Sequence, residues 1–290
     1  MMTDSTDQSH TNDASRSPAG RFRTLRAVAD RSLGNSRSTV ALIRRRSTRR
    51  HSAFPAIAWQ MPALIVVTLI VICFLILDEP AAAFRGQWPG SIGRLAAQMT
   101  DIGLGVWYVV PAILALIVVN QIDWNRFSGQ RLLLLYNWTI LSAYALISVG
   151  GALLLSNIAK NVIGRGRPMH YADHGVHAFN PLSGDASWAS FPSGHSSTVG
   201  AVVGVLVLLV PWSRWVVIPF GMWLVATRIV VGAHHPSDVV AGFAFGFVVA
   251  ALVAIGFARF GYLFARVREG LPRVKQSFLL LPRRRGRNKK

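Results

Sequence analysis

The feature that most constrains this 290-residue chain is a set of six apolar runs, at about 59–77, 103–120, 132–155, 196–211, 215–232 and 239–260. A bilayer's hydrocarbon core is about 30 Å thick and takes about 20 apolar residues per helix. Backbone amides find no water there, so a spanning segment is either a helix or a strand of a closed barrel. Uninterrupted runs without strand-like alternation specify helices. The expected fold is therefore all-α, a six-transmembrane-helix bundle. The fourth run is short, and with Ser196, Ser197 and Thr198 in its first turn it starts inside the membrane boundary. Gly150-Gly151, Gly200, Gly204, Gly242 and Gly246 lie on the runs and permit close helix approach. The Gly242-x-x-x-Gly246 pair reads as packing within the bundle.

Charge sets the orientation. The chain carries 31 Lys and Arg against 12 Asp and Glu, a net charge of +19. With the N-terminus inside, 25 of those 31 fall in 1–56, 121–131, 212–214 and 259–290. Basic residues concentrate on the cytoplasmic side of membrane proteins, so both termini are expected there. The same distribution argues against a nucleic-acid partner, because the basic tails lack interleaved aromatics and a recognisable binding fold. Residues 1–56 are rich in Ser, Thr, Asp, Asn and Arg and close on Arg44-Arg45-Arg46 and Arg49-Arg50. They read as a basic, largely disordered cytoplasmic tail, with 23–43 a candidate for a short amphipathic helix. Its end is expected to meet anionic lipid headgroups, at about 1 kcal/mol per basic residue. A cleaved signal peptide does not fit, because the first apolar run leads into Asp78-Glu79-Pro80 without a small-residue cleavage site. Residues 57–264 form the membrane domain and 265–290 a basic cytoplasmic tail. The single cysteine, Cys73, precludes an intrachain disulfide.

Six basic residues then face outward: Arg85, Arg94, Lys160, Arg165, Arg167 and Arg228. Four of them sit at span ends: Lys160, Arg165 and Arg167 after the third run, and Arg228 in the last turns of the fifth. Snorkelling to headgroups accounts for any one of these. Four in one leaflet point instead to an anion or a polar cavity. Phe191-Pro192-Ser193-Gly194-His195 opens the fourth run at the same face, with a hydroxyl and backbone N–H groups at a helix start. The link from the fifth run to the sixth adds His234, His235, Pro236, Ser237 and Asp238. Helix capping explains a His-x-x-x-Asp spacing, but a carboxylate that orients an imidazole explains it together with its cationic neighbours. Arginine forks and a lysine point charge suit the oxygens of a phosphate monoester. One histidine can attack phosphorus while another protonates the leaving oxygen. With the cations built in and no carboxylate or cysteine cluster around the histidines, no metal and no cofactor are expected.

These residues resemble the type-2 phosphatidic acid phosphatase superfamily. Its signatures, Lys-x6-Arg-Pro, Pro-Ser-Gly-His and Ser-Arg-x5-His-x3-Asp, read here as Lys160 through Arg167-Pro168, Pro192 through His195, and Thr227-Arg228 through His234 to Asp238. Thr227 replaces the leading serine and keeps its hydroxyl. The likeness covers 160–238 by motif and 59–264 by span layout. It implies that His234 is the nucleophile, Asp238 its orienting partner and His195 the general acid. Lys160, Arg167, Ser193, Gly194 and Arg228 would bind the phosphate. His170, His174, His177 and His235 fall outside these roles, and for Arg165 both snorkelling and headgroup contact are open.

The resemblance implies a metal-independent lipid phosphatase of the cell inner membrane, working through a phosphohistidine with its site on the extracytoplasmic side. Undecaprenyl diphosphate, phosphatidylglycerophosphate, phosphatidic acid and lipid A phosphates are the candidate substrates. A lipid-to-lipid phosphotransferase of the same fold and a non-enzymatic phospholipid or anion transporter are the alternatives. Substrate choice is expected to lie in loops 169–190 and 78–102 and in the lateral openings between spans. The sequence carries no code for the oligomeric state.

Overall fold

A computed structural model describes residues 18–49, 55–265, 267–278 and 280. The helices are α1 (Pro18–Arg49), α2 (Gln60–Ala83), α3 (Gly90–Thr100), α4 (Val106–Gln121), α5 (Gly129–Ile163), α6 (Gly194–Leu209), α7 (Arg214–Val230) and α8 (Pro236–Arg259). Among the described residues, five segments are long and apolar enough to cross a membrane: Gln60–Ala83, Gly90–Gln121, Gly129–Ile163, Pro211–Val230 and Pro236–Arg259. The expected sixth, α6, has 16 residues. At 1.5 Å per residue that is about 24 Å, short of a hydrocarbon core of about 30 Å. The fourth apolar run was expected to be short, and this is its physical form.

The surface is the inverse of a soluble protein's. Leu64, Leu75, Trp107, Leu154, Trp215 and Leu252 all point outward, while fully buried positions include the small Ala152, Ala201, Ala250, Ala251 and Ala254. Lipid tails are as apolar as leucine, so helix association rests on close packing of small residues. The α6–α8 contact shows how close. A Cβ at Gly200 would overlap the Phe243 carbonyl, one at Gly242 the Ser193 carbonyl, and one at Gly246 the Ser197 carbonyl. This contact fixes the start of α6 against the start of α8.

Three expectations change. Residues 18–49 form one helix, longer than the 23–43 segment and at odds with a largely disordered tail. Asn35 on it donates to the carbonyls of Asn120 and Ile122 at 2.8 and 2.7 Å, so tertiary contact holds what composition alone would leave free. The reading of 1–17 as disordered, and the basic end of the C-terminal tail at 281–290, lie outside the described residues. Second, the chain is not wholly α. Phe264–Ala265 (β1) and Arg273–Val274 (β2) pair as a short antiparallel ribbon at the start of the C-terminal tail, turned by Gly270 at φ +75°. Third, 78–102 is not a loop. Helix α2 continues through Asp78 to Ala83 and α3 occupies 90–100.

Contacts of the two chain ends gather at one pole. Tyr262 Oη donates to the Ile43 carbonyl, and Ala56 N donates to the Arg268 carbonyl at 2.9 Å. The C-terminal ends of α2, α5 and α7 and the N-terminal ends of α6 and α8 meet at the other.

Candidate active site

Each signature residue is delivered by a helix end. Lys160 lies in the last turn of α5, which Gly164 terminates at φ +65°. No other residue fits there, because a Cβ would run into the Asn180 carbonyl. The chain then turns inward through Arg165 and Gly166 to Arg167. Its backbone is tied to loop 169–190 by Asn180 N to Gly164 O (2.7 Å), Arg167 N to Ser187 O (2.9 Å) and Ser190 N to Arg165 O (3.0 Å). After the cis Phe191-Pro192 bond, Ser193 caps α6, its Oγ accepting from Ser196 N at 3.4 Å and Ser196 Oγ at 3.1 Å. Ser193 N donates to the Asp238 carbonyl at 3.0 Å, which joins the two helix starts directly. Gly194 sits against Lys160: a Cβ there would lie 3.8 Å from the ammonium nitrogen. The first N–H groups of a helix have no intrahelical acceptor and point toward an incoming anion.

The structure brings the expected residues together. Lys160, Arg167, Arg228 and His234 all act electrostatically on His195, and Arg167 and Arg228 also act on His234. Arg228 Nη1 donates to Thr100 Oγ1 at 3.0 Å, so α3 anchors that side chain. The Nε atoms of Arg167 and Arg228 are buried and find no partner among the described residues. Buried unpaired donors on cations are costly in a resting protein and suit an anionic ligand. Among the described residues no three His, Cys, Asp or Glu side chains gather as a metal site.

His234 is 4% exposed, and burial is the largest influence on it, pushing the imidazole below its ordinary value of 6.5. Asp238 opposes that shift; Arg167 and Arg228 reinforce it. The ring is therefore neutral at pH 7, as a nucleophile must be. Asp238 Oδ2 stands 3.7 Å from His234 Nδ1, too far for a direct hydrogen bond. Ser190 Oγ sits beside both, donating to Asp238 Oδ2 at 2.6 Å and lying 3.3 Å from Nδ1. A serine has one proton. With that proton on the carboxylate, Ser190 Oγ accepts from Nδ1–H and leaves the Nε2 lone pair free. Asp238 also caps α8, accepting from His235 N at 3.0 Å. The same carboxylate thus caps α8 and lies against Ser190, the hydroxyl next to His234 Nδ1.

Arg165 takes neither of the roles open to it. It does not snorkel and does not reach a headgroup: at 1% exposure it is the largest fully buried side chain. Its guanidinium bridges Asp238 Oδ1 at 2.6 Å and Asp78 Oδ2 at 2.7 Å. Asp78 was missed altogether, although a lone acid at the end of an apolar run is itself a signal. Ser190 and Ser237 were missed as well, and neither carries a sequence signal of its own. Four other described histidines pack against neighbouring side chains and backbone. His170 stacks on Trp188 with ring centroids 4.6 Å apart, His174 meets the same indole edge-on, and His177 tilts onto Phe74. Trp188 itself packs on Gly166. His235 is 2% exposed, with Nε2 3.3 Å from the Gly166 carbonyl.

Comparison with known proteins adds four findings. The model of the PAP2 superfamily matches residues 138–262. A lipid A 1-phosphatase of Rhizobium johnstonii is 36% identical over 246 residues, covering 83% of this chain and 98% of that protein. A lipid A 1-phosphatase of Rhizobium etli is 37% identical over 228 residues, covering 77% and 96%. Among solved structures, a PAP2-type phosphatidylglycerolphosphate phosphatase from Bacillus subtilis is similar over 66% of this chain and 92% of its own, at 19% identity and a TM-score of 0.44.

Proposed function

The chain belongs to the PAP2 superfamily, and from that premise we propose that it removes the 1-phosphate of lipid A through a phosphohistidine on His234. It is a membrane lipid phosphatase, a phosphoric monoester hydrolase. Lipid A leads the candidate lipids because two relatives named for that activity align with more than three quarters of the chain. The observation that carries the mechanism is the meeting of Lys160, Arg167, Arg228, His195 and a neutral His234 at one pole of the bundle.

The three cations and the Gly194 end of α6 hold the phosphate oxygens and stabilise the charge that develops on them. His234 Nε2 attacks phosphorus as the bond to the lipid oxygen breaks, and His195 gives its proton to that oxygen. A water then attacks the phosphohistidine and passes a proton to His195. The P–N bond breaks, inorganic phosphate leaves, and His234 returns with its proton still on Nδ1, donated to Ser190 Oγ. No step calls for a metal, since the fixed cations supply the charge. Helix α6 serves as a sixth span. The termini are cytoplasmic and the site opens to the extracytoplasmic leaflet of the inner membrane. An apolar cleft of 170 Å³ between α3 and α7, lined by Leu95, Met99, Trp223, Thr227 and Val230, offers room for part of an acyl tail.

Purified protein should release inorganic phosphate from lipid A faster than from phosphatidic acid, phosphatidylglycerophosphate or undecaprenyl diphosphate, and EDTA should not slow it. Faster turnover of another lipid would displace lipid A as substrate. Loss of activity on chelation would overturn the metal-independent route. Phosphate appearing on an added acceptor lipid rather than in water would favour the phosphotransferase.

A further inference from the structure

We propose that Asp78 and Arg165 form a positioning pair for the nucleophile, through which the first long helix sets the geometry of Asp238 and His234. The proposal rests on the phosphohistidine reading above. Arg165 and Asp78 are 1% and 0% exposed, so neither touches substrate, unlike the part-buried Lys160, Arg167 and Arg228.

Both terminal nitrogens of Arg165 are engaged, while its Nε finds no partner among the described residues. Arg165 Nη1 donates to Asp238 Oδ1 and to Ser237 Oγ, each at 2.6 Å. Its Nη2 donates to Asp78 Oδ2 at 2.7 Å and to the Val176 carbonyl at 3.1 Å. Asp78 Oδ1 accepts from Ser237 N at 2.9 Å, and Ser237 Oγ donates to Asp78 Oδ2. Asp78, 159 residues away in sequence, therefore satisfies an N-terminal amide of α8, where the helix dipole favours negative charge. Phe74, one turn before Asp78, supports the guanidinium with 4.9 Å from its carbon to the ring centroid.

This arrangement divides the labour of Asp238. Arg165 takes Oδ1, and Oδ2 serves Ser190, His235 N and His234. With Oδ1 held, the carboxylate plane cannot rotate, and Oδ2 stays aimed at the Ser190 relay. Burying three charges is a poor route to stability, since desolvation offsets most of the attraction between them. Its value lies in holding the nucleophile's partner in one orientation.

The test compares Asp78→Asn, Arg165→Lys and Arg165→Met with wild type and His234→Ala. Lipid A and p-nitrophenyl phosphate in detergent micelles are the substrates, and inorganic phosphate is the competing ligand. Arg165→Met should lower kcat about 100-fold, the loss expected when a catalytic group is displaced by about 1 Å. KM and inhibition by inorganic phosphate should stay near wild type, because the phosphate-binding cations are untouched. Arg165→Lys, which reaches one carboxylate but cannot fork to both, should recover part of that loss. Asp78→Asn keeps the shape and the acceptor for Ser237 N, so it carries the test if Arg165→Met fails to fold, and it should lose about tenfold in kcat. Wild-type kcat per folded enzyme in these variants, with or without a lower melting temperature, would assign the pair a purely structural role. So would a loss confined to KM. An inactive His234→Ala beside a fully active Arg165→Met would sink this proposal alone. A fully active His234→Ala would sink the phosphohistidine reading and the proposal with it.

Discussion

Replacing Ser190 by alanine isolates the contact that fixes the nucleophile's tautomer. Ser190 Oγ donates at 2.6 Å to Asp238 Oδ2 and lies 3.3 Å from His234 Nδ1. Without it, the nearest acceptor for the Nδ1 proton is Asp238 Oδ2 at 3.7 Å, outside hydrogen-bond range. A hydrogen bond to a charged group contributes about 1.5–3 kcal/mol. At about 1.4 kcal/mol per tenfold in rate, kcat should fall about 10- to 150-fold. Removing the whole orienting carboxylate from a catalytic triad costs about 10⁴. Here Asp238 keeps its place through Arg165 and His235 N, so the loss should stay below that ceiling. KM should not move, because Ser190 is fully buried and touches no phosphate-binding residue. Steady-state phosphate release from lipid A in micelles, with a melting curve for the variant, measures both quantities. A kcat within about threefold of wild type would refute the relay. A loss expressed mainly in KM would move Ser190 into substrate binding.

Two further outcomes follow from the same geometry. Gly246→Ala places a methyl group on the Ser197 carbonyl, so α6 must separate from α8. Overpacking of this kind costs about 1–3 kcal/mol and should appear as a lower melting temperature, together with lost activity as His195 moves from His234; an unchanged melting temperature and rate would show the contact to be loose. Burial holds His234 below its ordinary value of 6.5, and the neutral ring attacks, so protonation of His234 should lower kcat/KM only below pH 6.5. An acid limb centred above 6.5 would mean that Asp238, and not burial, governs the imidazole.

The helical bundle was legible because apolar runs answer to a single constraint, the bilayer, and the short fourth run was legible for the same reason. The cations were legible from topology, since Lys160, Arg167 and Arg228 lie where charge is expensive. What stayed hidden is the network beneath them. Arg165 stood out as an outward cation, but its partner Asp78 lies 87 residues away at the end of α2. Only tertiary structure joins them. The turn after Gly164 sends Arg165 inward while Arg167, two residues on, stays part exposed. Composition likewise misread 18–49, because Asn35 finds its acceptors at the C-terminal end of α4, on Asn120 and Ile122. The β1–β2 ribbon has strands of two residues each, below the length at which strand patterning can be read.

The central claim is that phosphate passes through His234. Acid-labile, base-stable label carried from 32P-labelled lipid A onto the protein within one turnover measures this directly. The account predicts label on the peptide containing His234, its absence in His234→Ala, and no phosphate release by that variant. Phosphate release from wild-type enzyme with no label on His234, or turnover by His234→Ala, would contradict it.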